Sequence, residues 1–237
     1  RMPSTSLNHP RRLADYSADY RMLIIAAMAI VAGTGGAFSA WALLKLINLA
    51  TNIFWYANFS FASSVIAGRG AVLVIAVPVV GGLIVGLMAR YGSDKIRGHG
   101  IPEAIETILF GESKLSLKVA LLKPLSSAVS IGSGGPFGAE GPIIMTGGAI
   151  GSLFAQLFRL TAAERKTLLV AGAAAGMTAI FGTPFASIML AVERLLFEWK
   201  PRSFVPVVTA VLVSLAWRSL LMGSGPLFPF AAATPAG

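Results

Sequence analysis

The sequence has no cysteine, which excludes disulfides, thiolate metal sites and thiol nucleophiles and leaves the redox compartment open. Histidine is nearly missing too, with His9 and His99 as its two examples. There is no HExxH pair, no GxxxxGK[ST] phosphate loop and no GxSxG elbow, so the sequence marks of zinc proteases, P-loop enzymes and serine hydrolases are all lacking. Nothing points to an enzyme or to a cofactor. Charge is also scarce: 12% of residues are charged, against about 25% in an ordinary soluble domain. The net charge of +9 could indicate a nucleic-acid partner, but the cations sit between apolar runs instead of forming a contiguous stripe. They read better as membrane topology signals.

What is abundant is apolar surface. Hydrophobic residues make up 55% of the chain and mean hydropathy is +0.76, which makes lipid the expected solvent. A chain of 237 residues can then supply several spans of about 20 residues each in one bundle. The first 20 residues carry Arg1, Arg11 and Arg12 without an apolar core, and are expected to be a cytoplasmic leader. Residues 21–222 are expected to form the membrane region and 223–237 a tail.

The apolar run from Met22 to about Ala50 exceeds the ~20 residues needed to cross a bilayer, so it should tilt or project. A second run covers Ala71 to Met88. Arg11, Arg12 and Arg21 precede this pair and Arg90, Lys95 and Arg97 follow it, whereas the loop between holds only Arg69. The positive-inside rule therefore puts both flanks, and the N-terminus, in the cytoplasm. After Gly100 the apolar pieces shorten: Ile101–Phe110, Val119–Ile131, Pro142–Leu160 and Thr167–Phe181. Interrupted segments survive at membrane depth where protein or a water-filled cavity satisfies their backbone, as in ion and substrate sites. Pro184–Phe197 and Phe204–Met222 close the series, with Arg194, Lys200 and Arg202 marking another cytoplasmic turn. The fold class is all-α and polytopic, with six or seven clear helices and one or two short ones. Small residues at i, i+4 (Gly82/Gly86, Gly147/Gly151, Gly172/Gly176) permit close helix contact.

The stretch Gly132-Ser133-Gly134-Gly135-Pro136-Phe137-Gly138-Ala139-Glu140-Gly141-Pro142 opens an apolar helix. With Pro142 read as its first residue, the backbone N–H groups of Ala139, Glu140 and Gly141 are left without helical partners. Those groups and the helix dipole can hold a small anion at membrane depth without a formal cation. Glu140 has two readings: a carboxylate that caps its own helix, or a tethered anion that competes for these N–H groups when ionised and leaves them when protonated. A second helix start, Gly98-His99-Gly100-Ile101-Pro102-Glu103, places Glu103 and Glu106 in its first turns, where acidic residues favour the dipole. His99 can be an anion donor, a pH-sensitive group or a polar loop residue. The cluster Ala171–Gly176 reads as a close-packing surface. Lys123 can add positive potential to an anion path or act as a snorkelling anchor.

These stretches, in this order, resemble the signature regions of the CLC chloride channel and chloride/proton antiporter family. Gly98–Pro102 is similar to the family's GSGIP motif, Gly138–Pro142 to its GREGP or GKEGP motif, and Ala171–Glu193 to its glycine/alanine-rich segment. The resemblance runs from about Met22 to the C-terminus and implies one inverted-repeat half of a CLC-type fold. It further implies a homodimer in the lipid bilayer, with chloride or a related small anion as substrate and an anion pathway where broken helices converge. Glu140 matches the gating glutamate. The amides of Ala139, Glu140 and Gly141 match the outer anion site, and His99, with Gly100 and Ile101, matches the central one.

Three departures bear on the expected activity. His99 stands where the family has a serine, so nitrate or another halide becomes a candidate substrate. Ala139 replaces the usual Arg or Lys but keeps the amide. Arg194 follows Glu193 where proton-coupled members carry a glutamate, which favours a channel-like or uncoupled protein over an antiporter unless Glu193 or Glu198 supplies a proton route. The family's second half is not recognisable after Met222, so the chain is expected to be part of a longer protein or a truncated, non-transporting subunit.

Overall fold

A computed structural model describes residues 20–223, apart from 65, 67 and 99, together with 225. The described residues are helical, with no strand among them. The elements are α1 (Tyr20–Tyr56), α2 (Ala71–Tyr91), a 3-10 turn (Asp94–Ile96), α3 (Ile101–Phe110), α4 (Leu117–Gly132), α5 (Glu140–Gln156), α6 (Ala162–Phe181), α7 (Pro184–Leu190) with a π-helical turn (Ala191–Leu196), and α8 (Pro201–Met222). By length and composition, α1, α2 and α8 can each cross a membrane. With 37 residues, α1 is roughly 55 Å long at about 1.5 Å per residue, so it must tilt or extend beyond a hydrocarbon core about 30 Å thick.

Helix α6 occupies the middle, packed against α1, α5 and α8. Its composition permits this. Ala171 to Gly176 carries no side chain larger than a methyl and is buried throughout, so neighbouring backbones can approach from several sides. A Cβ at Gly147 on α5 would lie 2.5 Å from the carbonyl oxygen of Gly172, and one at Gly36 on α1 would lie 2.7 Å from the Cβ of Ala175. Lipid offers little hydrophobic drive between helices, so contact of this kind and interhelical hydrogen bonds must hold the bundle. Ser214 on α8 donates to Ala175 O at 2.6 Å, and Arg218 Nε donates to Ala179 O at 3.0 Å.

Of the three small-residue pairs, Gly147/Gly151 and Gly172/Gly176 meet neighbouring chain, while Gly82 and Gly86 have no atom within 4 Å of a would-be Cβ. The difference follows from position. Helix α2 buries only Val77, Gly81 and Ala89 and turns an apolar face outward that includes Val72, Ile75 and Leu83.

Local signals account for the helix starts. Thr161 begins α6 with a capping box: its hydroxyl accepts the Glu164 N–H at 3.3 Å, and its own N–H donates to Glu164 Oε2 at 2.8 Å. Glu164 also pairs with Arg21 at the start of α1, where Arg21 Nη2 donates to Oε2 at 3.1 Å. This ties two helix starts far apart in sequence to each other.

Candidate functional site

The loop entering α5 is shaped by glycine and braced by a tryptophan. Gly134 has φ +92°, a conformation that side chains rarely adopt. The indole of Trp55, at the end of α1, donates to Gly132 O at 3.0 Å. Within the loop, Gly134 N–H donates to Ile131 O at 2.9 Å, Gly135 N–H to Ser130 O at 3.0 Å and Phe137 N–H to Gly135 O at 2.8 Å. The loop amides up to Phe137 are therefore largely engaged, and the chain reaches Gly138 ready to start a helix.

That helix begins at Glu140, two residues before the proline-first start read from the sequence, and Pro142 occupies the third position. Proline fits there equally well, because the N–H it lacks is one of the four that a helix start leaves without an internal partner. Ala139 caps the helix and its carbonyl accepts from Ile143 N–H at 3.0 Å. Among the described residues, no hydrogen bond takes the N–H of Ala139, Glu140 or Gly141. The Glu140 side chain is exposed, and it too has no hydrogen-bond or ion-pair partner among the described residues. It does not fold back to cap its own helix.

The second helix start lies directly against the first. Gly100 has φ +100°, and a Cβ there would lie 2.7 Å from the carbonyl oxygen of Gly141. The first residues of α3 and α5 are thus in backbone contact, although 41 positions separate them. Gly100 N–H donates to Glu103 Oε2 at 2.7 Å, so an anion approaching that N–H must compete with a carboxylate. Glu103 thereby behaves as the helix-start charge expected from its position. Ile101 is half-buried at the first position of α3, and Glu106 is exposed. His99 lies outside the described residues.

Lys123 is neither exposed nor snorkelling. It is 2% exposed, and its Nζ donates to Ile96 O and Gly98 O, both at 3.0 Å. It braces the segment leading into α3.

Glu193 and Glu198 are the two candidates for a proton route. Glu193 is exposed on the π-helical turn. Glu198 is half-buried, accepts from Ser203 Oγ at 2.9 Å and pairs with Lys200 at 3.3 Å. With Arg21, Glu164, Thr167 and Ser203 it lines a cavity of about 100 Å³ that shares no residue with the α5 start. The Arg21–Glu164 pair in that cavity had no signal in the sequence beyond the capping box at Thr161.

The family model described as voltage gated chloride channel matches residues 81–236. The chain belongs to this family. Three relatives illustrate the likeness. A putative chloride channel protein ClcB-like from Ralstonia nicotianae is 36% identical over 121 residues, covering 49% of this chain and 28% of the relative. An H(+)/Cl(-) exchange transporter ClcA from Citrobacter koseri is 32% identical over 143 residues, covering 59% of this chain and 30% of the relative. A voltage-gated ClC-type chloride channel ClcB from Yersinia pseudotuberculosis is 32% identical over 148 residues, covering 62% and 36%. Among solved structures, a slow cyanobacterial Cl-/H+ antiporter superposes with a TM-score of 0.65 at 21% identity, over 89% of this chain and 49% of the antiporter. The last likeness establishes the fold, an all-helical membrane protein matching about half of a CLC-type structure. The matched segments span about a third of the length of these curated relatives, 28% to 36%.

Proposed function

We propose that this chain supplies one half of a transmembrane pathway for chloride or a related small anion, with the α5 start as an anion site and Glu140 as its gate. The observation that carries the reading is the triplet of N–H groups at Ala139, Glu140 and Gly141, which have no partner among the described residues and stand beside an unpaired carboxylate. Helix-start amides attract a small anion through partial charges, which leaves it free to move on. An ionised Glu140 can occupy the same amides, and a protonated one vacates them. His99, Gly100 and Ile101 are proposed to contribute a neighbouring central site, which the contact between Gly100 and Gly141 would keep within reach of the first.

The activity is transport, so no cofactor enters it. A channel, of the family's voltage-gated type, is the first reading, because Arg194 places a cation where coupled members carry a glutamate. Chloride/proton exchange is the second reading, and the half-buried Glu198 with its Ser203 contact supports it as a proton route more than the exposed Glu193 does. The complete assembly is proposed to be a homodimer in the bilayer with a cytoplasmic N-terminus. Support for that orientation comes from Arg21, Lys200 and Arg202, three of the cations expected to be cytoplasmic, which line one cavity.

The test is anion flux from liposomes at graded external pH, with wild type and Glu140→Gln compared in the longest form of the protein. The amide side chain should make flux insensitive to pH, and an unchanged pH dependence would remove Glu140 from the gate. Reversal potentials under opposed chloride and proton gradients separate the two mechanisms, because a purely Nernstian chloride response excludes exchange. If the 237-residue chain carries no flux while a longer gene product does, the chain alone is a non-transporting part.

A further inference from the structure

Helix α4 carries a polar stripe that the anion site at the α5 start does not use. Lys123, Ser126, Ser127 and Ser130 stand at i, i+3, i+4 and i+7, the spacing that puts side chains on one face of a helix. Around them the segment is mostly apolar. The stripe faces a cavity of about 280 Å³, bounded elsewhere by residues that include Arg97, Gly98, Gly138 and Pro142. No aspartate or glutamate lines this cavity.

The donors in the cavity are only partly used. Lys123 gives two hydrogen bonds to backbone carbonyls, whereas an ammonium group has three N–H donors. The third has no partner among the described residues. Ser126 spends its hydroxyl hydrogen on its own helix, at Lys123 O, 3.0 Å away. Ser127, 8% exposed, and Ser130 make no side-chain hydrogen bond to any described residue. Glu103, the carboxylate across the Gly98 loop, is engaged with Gly100 N–H, and among the described residues no carboxylate forms an ion pair with Lys123. The charge of Glu103 reaches Lys123 without contacting it, and one ammonium N–H and two hydroxyls remain as unused donors on the cavity wall. A small anion can accept from all three.

We propose that this cavity is a second binding site for a small monovalent inorganic anion of the halide or nitrate class, held by Lys123 and the hydroxyls of Ser127 and Ser130. It adjoins the α5 start, whose Pro142 forms part of its wall, but it is held by side chains of α4 and does not depend on Glu140. At about 30 Å³ per water molecule, the volume of about 280 Å³ admits the ion with part of its hydration shell.

The experiment is anomalous diffraction from crystals of the protein soaked in graded concentrations of sodium bromide. A bromide peak is expected within hydrogen-bond reach of Lys123 Nζ and the hydroxyls of Ser127 and Ser130. In S127A/S130A the bromide concentration that half-fills this peak should rise about tenfold or more, as expected for lost hydrogen bonds to an ion. Any peak at the amides of residues 139–141 should fill as before. The double variant leaves the carbonyl bonds of Lys123 intact, so it tests the site even if K123M fails to fold. A peak only at residues 139–141, no peak at all, or an unchanged half-filling concentration in the double variant would overturn the proposal. A peak only in the cavity would uphold it while counting against the α5-start reading.

Discussion

Replacing Gly100 by alanine tests whether the starts of α3 and α5 truly abut. Two penalties arise from the one added carbon. Gly100 sits at φ +100° and ψ −32°, and holding a side chain in so sparsely populated a conformation costs about 1–3 kcal/mol. The Cβ would also lie 2.7 Å from the oxygen and 2.8 Å from the carbonyl carbon of Gly141. These are backbone atoms in the first turn of α5 and cannot rotate aside, so overpacking adds about 1–3 kcal/mol. Together they predict a loss of roughly 2–6 kcal/mol, the upper end holding if the backbone cannot relax both penalties at once. Gly82→Ala is the control, because no atom lies within 4 Å of its Cβ and alanine gains up to about 1 kcal/mol of helix preference over glycine. Unfolding of the detergent-solubilised protein in mixed micelles, followed by circular dichroism, gives both values. If Gly100→Ala unfolds within about 0.5 kcal/mol of wild type, the size of an ordinary surface change, the two helix starts are not in contact.

Two further outcomes are expected. His99→Ser should shift the nitrate-to-chloride flux ratio, because an imidazole and a hydroxyl present different donors to an anion, and equal ratios would count against a central-site role. Thr161→Ala removes the hydroxyl that accepts the Glu164 N–H, and should cost about 1 kcal/mol in the same unfolding assay, the usual value of an N-cap; no loss would mean that the capping box does not hold α6.

Much of the fold is legible because helix starts and stops are local chemistry. Ile101–Phe110 is delimited by Gly100 and Gly111, and the structure reproduces those bounds. Thr161 and Glu164 announce α6 through a capping box, while Pro184 and Pro201 stand at the first positions of α7 and α8. The error at Pro142 has the same origin: proline is compatible with any position in the first turn, and local rules could not separate first from third. Lys123 was ambiguous because snorkelling and burial differ only in what surrounds the side chain. The carbonyls of Ile96 and Gly98 that decide between them lie more than 20 positions away. The polar stripe on α4 was present as a spacing, but it acquired meaning only with the cavity in front of it.

The sequence by itself determined the solvent and the approximate extents of the helices. Both depend on apolar content and on signals a few residues apart, which the chain carries wherever it is placed. Only the tertiary structure decided that Gly147 and Gly172 are contact glycines while Gly82 and Gly86 face outward. It alone set Gly100 against Gly141, joined Arg21 to Glu164, and kept Glu198 in a cavity apart from Glu140. Each of these outcomes is a through-space relation between residues remote in the chain, which no signal a few residues long can carry.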